Sequence, residues 1–193
     1  MKSYKTTMLK VTLFFAVIMA VASCTNNKPE DAKKVAEESN EEKFDSKSTE
    51  KDAQFLVNVA EINMEEVSLG KLAQTKGNTD HVKELGKMME DEHSKSLADL
   101  GALAKSKNIT LPVSPTDDAK DAYKKLNDKS GNDFGKAYSA KVVKGHQDAI
   151  ALFEKAANDC TDPDIKAFAA ASVPELKMHL DHAVTCQKKC ERM

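Results

Sequence analysis

Tryptophan is absent from this 193-residue chain, and aromatic residues make up only 5% of it. No run of alternating β-branched residues is present, so nothing in the sequence supplies half-buried strands. Ala, Lys, Leu, Asp and Glu dominate instead, a composition that favours helix. Charge of one sign is also missing. The formal net charge is −2, which offers no basic stripe for nucleic acid and no attraction to an acidic lipid surface. The longest apolar run, residues 11–21, is interrupted only by Thr12. It is too short to span ~30 Å of hydrocarbon as a helix. Internal repeats, a nucleophilic triad and a phosphate-binding glycine loop are absent as well. The Glu90–His93 step lacks the preceding histidine that a helical zinc protease requires.

What is present begins with a leader. Lys2, Lys5 and Lys10 precede the apolar run, and Val21-Ala22-Ser23-Cys24 follows it. A basic start, an apolar middle and small residues before the cut describe a secretion signal over residues 1–23. The cysteine directly after those small residues resembles a bacterial lipobox, which implies cleavage before Cys24 and acylation of its thiol and amine. Acyl chains at ~0.8 kcal/mol per buried methylene would anchor the chain to a membrane outside the cytoplasm. Thr25, rather than Asp, after the cysteine points by the habit of such lipoproteins to the outer membrane, on either its periplasmic or its surface face. Residues 24–51 carry many charges of both signs and few apolar side chains, and read as a solvated linker.

The remainder, 52–193, is one domain of ordinary size. Punctuation divides it into four long helices over about 52–76, 80–107, 132–158 and 163 to the C-terminus, with a short helix over 117–129. Gly77-Asn78 stops the first, Pro112 and Pro115 mark a loop, and Ser130-Gly131 is a break. Thr161-Asp162-Pro163-Asp164 is a helix start with cap, proline and acid in the first turn. Pro174 should kink the last helix. Short connections within each pair and a longer crossover between pairs predict an all-α, antiparallel four-helix bundle.

At 100° per residue each long helix places one ionisable side chain at the centre of its apolar face. Glu66 lies among Phe55, Val59, Ile62, Gly70 and Ala73. His93 lies among Val82, Gly86, Met89, Leu97 and Leu100, and His146 among Gly135, Val142, Ile150 and Phe153. His179 lies among Phe168, Leu176, Leu180 and Ala183. Counted from the hairpin turns at ~1.5 Å per residue, all four fall within about two turns of one level. Convergent polar groups in an apolar core are unfavourable unless they bond one another, a water or a metal. Glu90, three residues before His93, completes a Glu-x-x-His step of the kind found in carboxylate-bridged metal bundles.

The blocks 64–73 (MEEVSLGKLA), 88–95 (MMEDEHSK), 138–153 (YSAKVVKGHQDAIALF) and 173–180 (VPELKMHL) resemble a bacterial envelope family of predicted outer-membrane proteins. That family carries a domain of unknown function grouped with ferritin-like bundles, and the likeness covers about 52–183. The resemblance implies a ferritin-like four-helix fold, an envelope location, and recurrent positions at Glu66, His93, His146 and His179. It does not imply an activity. This chain departs from the commoner pattern at Met178, where a second histidine often stands.

Two functions follow as expectations. One is a transition-metal site of iron, manganese or zinc on Glu66, His93, His146 and His179, with Glu90 as an additional candidate ligand, serving redox or stress chemistry. Haem between His93 and His179 is a weaker version of it. The other is a non-enzymatic envelope interaction or stress protein, in which the buried Glu/His network fixes helix register. Three cysteines stand apart from the lipidated one. Cys186 and Cys190 share a face near the end of the last helix, either as small core residues, as a disulfide or, with His182, as a soft-metal site. Cys160 lies at the far end, too distant to bridge to Cys186 within one molecule.

Overall fold

The computed structural model describes residues 30–193; the leader 1–23 and Cys24 lie outside the described residues. Regular structure within them is helical throughout: α1 (Ala32–Lys43), α2 (Lys47–Lys76), α3 (Asp80–Ser106), α4 (Asp117–Asn127), α5 (Gly131–Asp159) and α6 (Pro163–Glu191). The four long helices form two antiparallel hairpins, α2–α3 and α5–α6, packed against each other, with α4 in the crossover. No described helix is long and apolar enough to cross a membrane. The starts of α4 and α6 carry their expected side-chain caps, whereas Thr79 before α3 makes no side-chain cap hydrogen bond. Asp162 accepts from the amides of Asp164 and Ile165 with Pro163 in the first turn, and the Thr116 hydroxyl accepts from Ala119. α6 runs on through Pro174, which faces solvent.

Residues 32–51 correct the expectation of a solvated linker over 24–51. They form α1 and the first turn of α2, and α1 is docked. Both ends of the Asn40 amide pair with the Thr110 backbone, donating at 2.9 Å and accepting at 2.8 Å. Asp31 accepts from the amides of Lys33 and Asp117, Lys33 pairs with Glu61 at 2.6 Å, and Gln54 donates to Glu37. Ala36 is the buried apolar contact of α1. Apart from Ala36 and Phe44, which packs against the core, the segment is held by specific polar pairing, which composition does not measure.

Two apolar clusters fill the bundle, one at each end. The first gathers Phe55, Val59, Leu100, Phe153, Ile165 and Leu176; the second gathers Leu69, Val82, Met89, Phe134, Tyr138 and Ala183. On every long helix a buried polar residue stands at the break between them: Asn63 and Glu66 on α2, His93 on α3, His146 on α5 and His179 on α6. The packing that fixes this slice is close. A Cβ at Gly70 would lie 2.5 Å from the Gly86 carbonyl oxygen, and one at Gly86 would lie 2.7 Å from Cβ of Ala73. The α2 and α3 backbones therefore touch one turn from Glu66. At the other end, the buried Asp52 carboxylate of α2 accepts from the Thr161 amide and hydroxyl and from the Asp162 amide. This ties the first hairpin to the turn of the second.

Candidate metal centre

His93, His146 and His179 are 3%, 1% and 2% exposed, and their rings form a triangle with centroids 5.4 Å apart on each side. One nitrogen of each lies within 4.8 Å of the other two. The His93 Nε2 to His146 Nε2 and His146 Nε2 to His179 Nδ1 distances are both 3.4 Å. Nitrogens around a tetrahedral ion with metal–nitrogen bonds of ~2.05 Å stand about 3.35 Å apart. The two measured edges match that value, whereas an octahedral face with bonds of about 2.1–2.2 Å would need edges nearer 3.0–3.1 Å.

The surroundings set the tautomers. The Asn63 side chain donates through Nδ2 to Ser96 Oγ at 3.0 Å, which turns its carbonyl oxygen to His93 Nδ1 at 2.8 Å. His93 must donate there from Nδ1, so its Nε2 carries a lone pair. His146 Nδ1 lies 3.0 Å from the Val142 carbonyl, which can only accept, so its Nε2 is also a lone pair. Both lone pairs point into the triangle, the orientation that metal-binding histidines acquire from such partners. His179 presents Nδ1 to the same point, and its buried Nε2 has no hydrogen-bond partner.

A proton is a poor occupant of this triangle. Burial lowers the basicity of His93 well below the ordinary range, and the neighbouring His146 and His179 add to it. Burial likewise lowers His146, and brings His179 down to about 4 with a contribution from His146. The three imidazoles are neutral at physiological pH with at least two lone pairs facing each other. That arrangement is repulsive alone and suited to a cation that accepts from all three.

The remaining sequence candidates sit elsewhere. Glu66 is buried on the other side of the His146 ring, with Oε1 3.7 Å from Nδ1 and not near the Nε2 nitrogens. Gly145 leaves room for it, since a Cβ there would lie 3.2 Å from Oε1. Burial raises the Glu66 carboxyl to about 8, with the Glu65 charge adding to it. Glu66 and His146 are thus both pushed toward their neutral forms, and their contact is not an ion pair. Glu66 Oε2 and the Tyr138 hydroxyl are buried without partners. Glu90 is engaged by Gln74 Nε2 at 2.5 Å and Lys71 at 3.8 Å, and does not join the cluster. Haem does not fit between His93 and His179: centroids 5.4 Å apart, with His146 completing the triangle, leave no slot for a macrocycle.

Sequence reasoning missed Asn63. Its signal was present, three residues before Glu66 on the same helical face. It also missed the way in. A cavity of about 30 Å³, room for a water, is lined by Asn63, Ser96, His93 and His179. Glu92 and Glu175 line the same cavity, and both reach the surface. Burial and a hydrogen bond shared with Glu92 raise the Glu175 carboxyl. Two carboxyl groups at the edge of the histidine triangle favour the approach of a cation. Cys160, Cys186 and Cys190 are free thiols, all buried.

No curated protein matches this sequence. Among solved structures the chain is similar to the crystal structure of a DUF305 fragment from Deinococcus radiodurans. The TM-score is 0.62 at 12% identity, over 74% of this chain and 96% of that one, a likeness of fold. Residues 37–185 match the profile of a family described as a domain of unknown function, and the chain therefore belongs to that family, DUF4142.

Proposed function

We propose that this chain is an envelope lipoprotein whose ferritin-like bundle binds one transition-metal ion on His93, His146 and His179. The observation that carries the metal reading is the convergence of three buried imidazole nitrogens within 4.8 Å of one another, two of the edges 3.4 Å, with His93 oriented by Asn63 and His146 by the Val142 carbonyl. Imidazole donors suit zinc, copper and iron over magnesium or calcium, and two 3.4 Å edges are compatible with a four-coordinate ion such as zinc. With Glu66 behind the His146 ring and Glu90 held by Gln74, the carboxylates of a dinuclear iron centre are not at the nitrogens. The site is mononuclear, with its fourth position toward the small cavity beneath Glu92 and Glu175. Three protein ligands and one open position is the pattern of sites that act on a bound water or small ligand. Glu66, with Oε1 3.7 Å from His146 Nδ1, stands behind that ring rather than in the ligand set.

The envelope placement rests on Lys2, Lys5, Lys10, the apolar run 11–21 and Val21-Ala22-Ser23-Cys24. Elemental analysis of the full chain, wild type beside His146→Ala, tests the metal. The wild type should carry one more equivalent than the variant; equal content after metal-replete growth would refute the site. Labelling with a fatty-acid analogue tests the anchor, and incorporation unaffected by Cys24→Ala would refute it.

A further inference from the structure

We infer a second metal site, distinct from the histidine triangle, on His81, Cys186 and Cys190, suited to a thiophilic divalent ion of the zinc type. His81 is in the first turn of α3, and the two cysteines are one turn apart near the end of α6. About twelve helical residues, or ~18 Å, separate His81 from His93 along α3. One ligand atom from each of the three residues lies within 4.8 Å of the others. Cys190 Sγ is 3.5 Å from His81 Nε2. Around a tetrahedral ion with metal–sulfur bonds of ~2.3 Å and metal–nitrogen bonds of ~2.05 Å, sulfur and nitrogen stand about 3.6 Å apart. Cys186 Sγ donates to the His81 carbonyl at 3.6 Å, which holds its sulfur on the same side of α3.

The backbone makes room for this cluster. A Cβ at Gly135 of α5 would lie 3.3 Å from Cys190 Sγ, so the absence of a side chain there leaves the thiol its place. Outward from the cluster a surface cavity of about 250 Å³ is lined by Glu84 and His182 together with His81 and Cys186. It offers the fourth position to a water or to one of those two side chains. His182, which the sequence pairs with the cysteines by helical spacing, is exposed and lies at the rim of that cavity, while His81 from the other hairpin takes the inner place. The Thr79 hydroxyl, 3.3 Å from His81 Nε2, can donate to the same lone pair and would give way to an ion.

Charge explains why a metal suits the place. Cys186 and Cys190 are both buried thiols, and a lone thiolate there would stand without solvent or a cation to answer its charge. A divalent ion replaces both thiol protons, forming two metal–sulfur bonds and one metal–nitrogen bond and releasing two protons to water. The product is electrically neutral and tolerates partial burial, as a lone thiolate does not.

The test uses the full chain, reduced and stripped with chelator, then titrated with Co²⁺ or Zn²⁺. Co²⁺ should give a near-ultraviolet thiolate-to-metal charge-transfer band, a signal that three imidazoles cannot produce. The band should be complete within two equivalents in the wild type, saturate at one equivalent in His146→Ala, and be lost in Cys190→Ser. Zn²⁺ should protect Cys186 and Cys190, and not Cys160, from alkylation read by peptide mass. This readout needs only the wild-type protein. Absence of the band, its survival in Cys190→Ser, or alkylation of the two cysteines unchanged by Zn²⁺ would overturn the assignment.

Discussion

Replacing Glu66 by glutamine isolates the largest electrostatic burden in the polar slice. The side chain keeps its shape and hydrogen-bonding oxygen but can no longer ionise. In the metal-free protein the Glu66 carboxyl sits at about 8 rather than 4.5, raised first by burial. Its folded-state value lies above its unfolded one, so the folded chain holds a proton that the unfolded chain has lost between those pH values. The stability this gives is complete below pH 4.5 and is lost as pH rises through 8. At ~1.4 kcal/mol per unit, roughly 3 kcal/mol is gone by pH 7 and about 5 kcal/mol above pH 8. The histidines act in the opposite sense. His93, His146 and His179 all have depressed values, so they weaken the fold as pH falls below their ordinary 6.5. Urea unfolding of the chelated full chain at pH 5, 7 and 9, wild type beside Glu66→Gln, separates the two effects, because the histidine contribution cancels in the comparison. The variant should gain on the wild type by about 4 kcal/mol from pH 5 to pH 9, and the gain should shrink once metal is bound beside His146. Stability differences that do not change with pH would refute a buried, proton-retaining Glu66.

Asn63→Ala leaves the His93 Nδ1 proton buried without an acceptor and frees the ring to turn; metal affinity should fall about 10–100-fold, measured by competition with a chelating dye. Gly70→Ala drives a methyl against the Gly86 carbonyl and should destabilise the fold by about 1–3 kcal/mol in thermal or urea unfolding while separating α2 from α3. Asp52→Ala leaves the Thr161 and Asp162 amides without their acceptor and should cost about 1–3 kcal/mol. Hydrogen exchange should quicken first at the α5–α6 turn; unchanged protection there would count against the tie.

The long helices were legible because their punctuation is chemical. Asp162 and Pro163 start α6, Gly77 ends α2, and the structure places those boundaries within a residue or two of the expected ones. The first turns of α2 were the exception, because Lys47 to Lys51 carry no apolar signal. α1 was illegible for the same reason: its docking depends on which carbonyl Asn40 meets, and that partner, Thr110, is 70 residues away. The slice of polar residues followed from helical phase alone, since a residue centred on an apolar stripe must be buried. Phase does not resolve which atom of a buried side chain points where. It therefore brought Glu66 and the three histidines to one level without separating the carboxylate behind the His146 ring from the nitrogens in front of it. His81 escaped notice beside the cysteines because helical spacing relates residues within one helix, and this pair spans two.

The ligands are divided unevenly between the hairpins. His93 belongs to α2–α3, whereas His146 and His179 belong to α5–α6, and the slice they occupy is the one level where the two oily ends of the bundle are not continuous. An ion there is a rivet between two halves that otherwise adhere only above and below it. Losing it would loosen the seam at mid-height first, so the supply of metal would be written into the stiffness of the whole bundle.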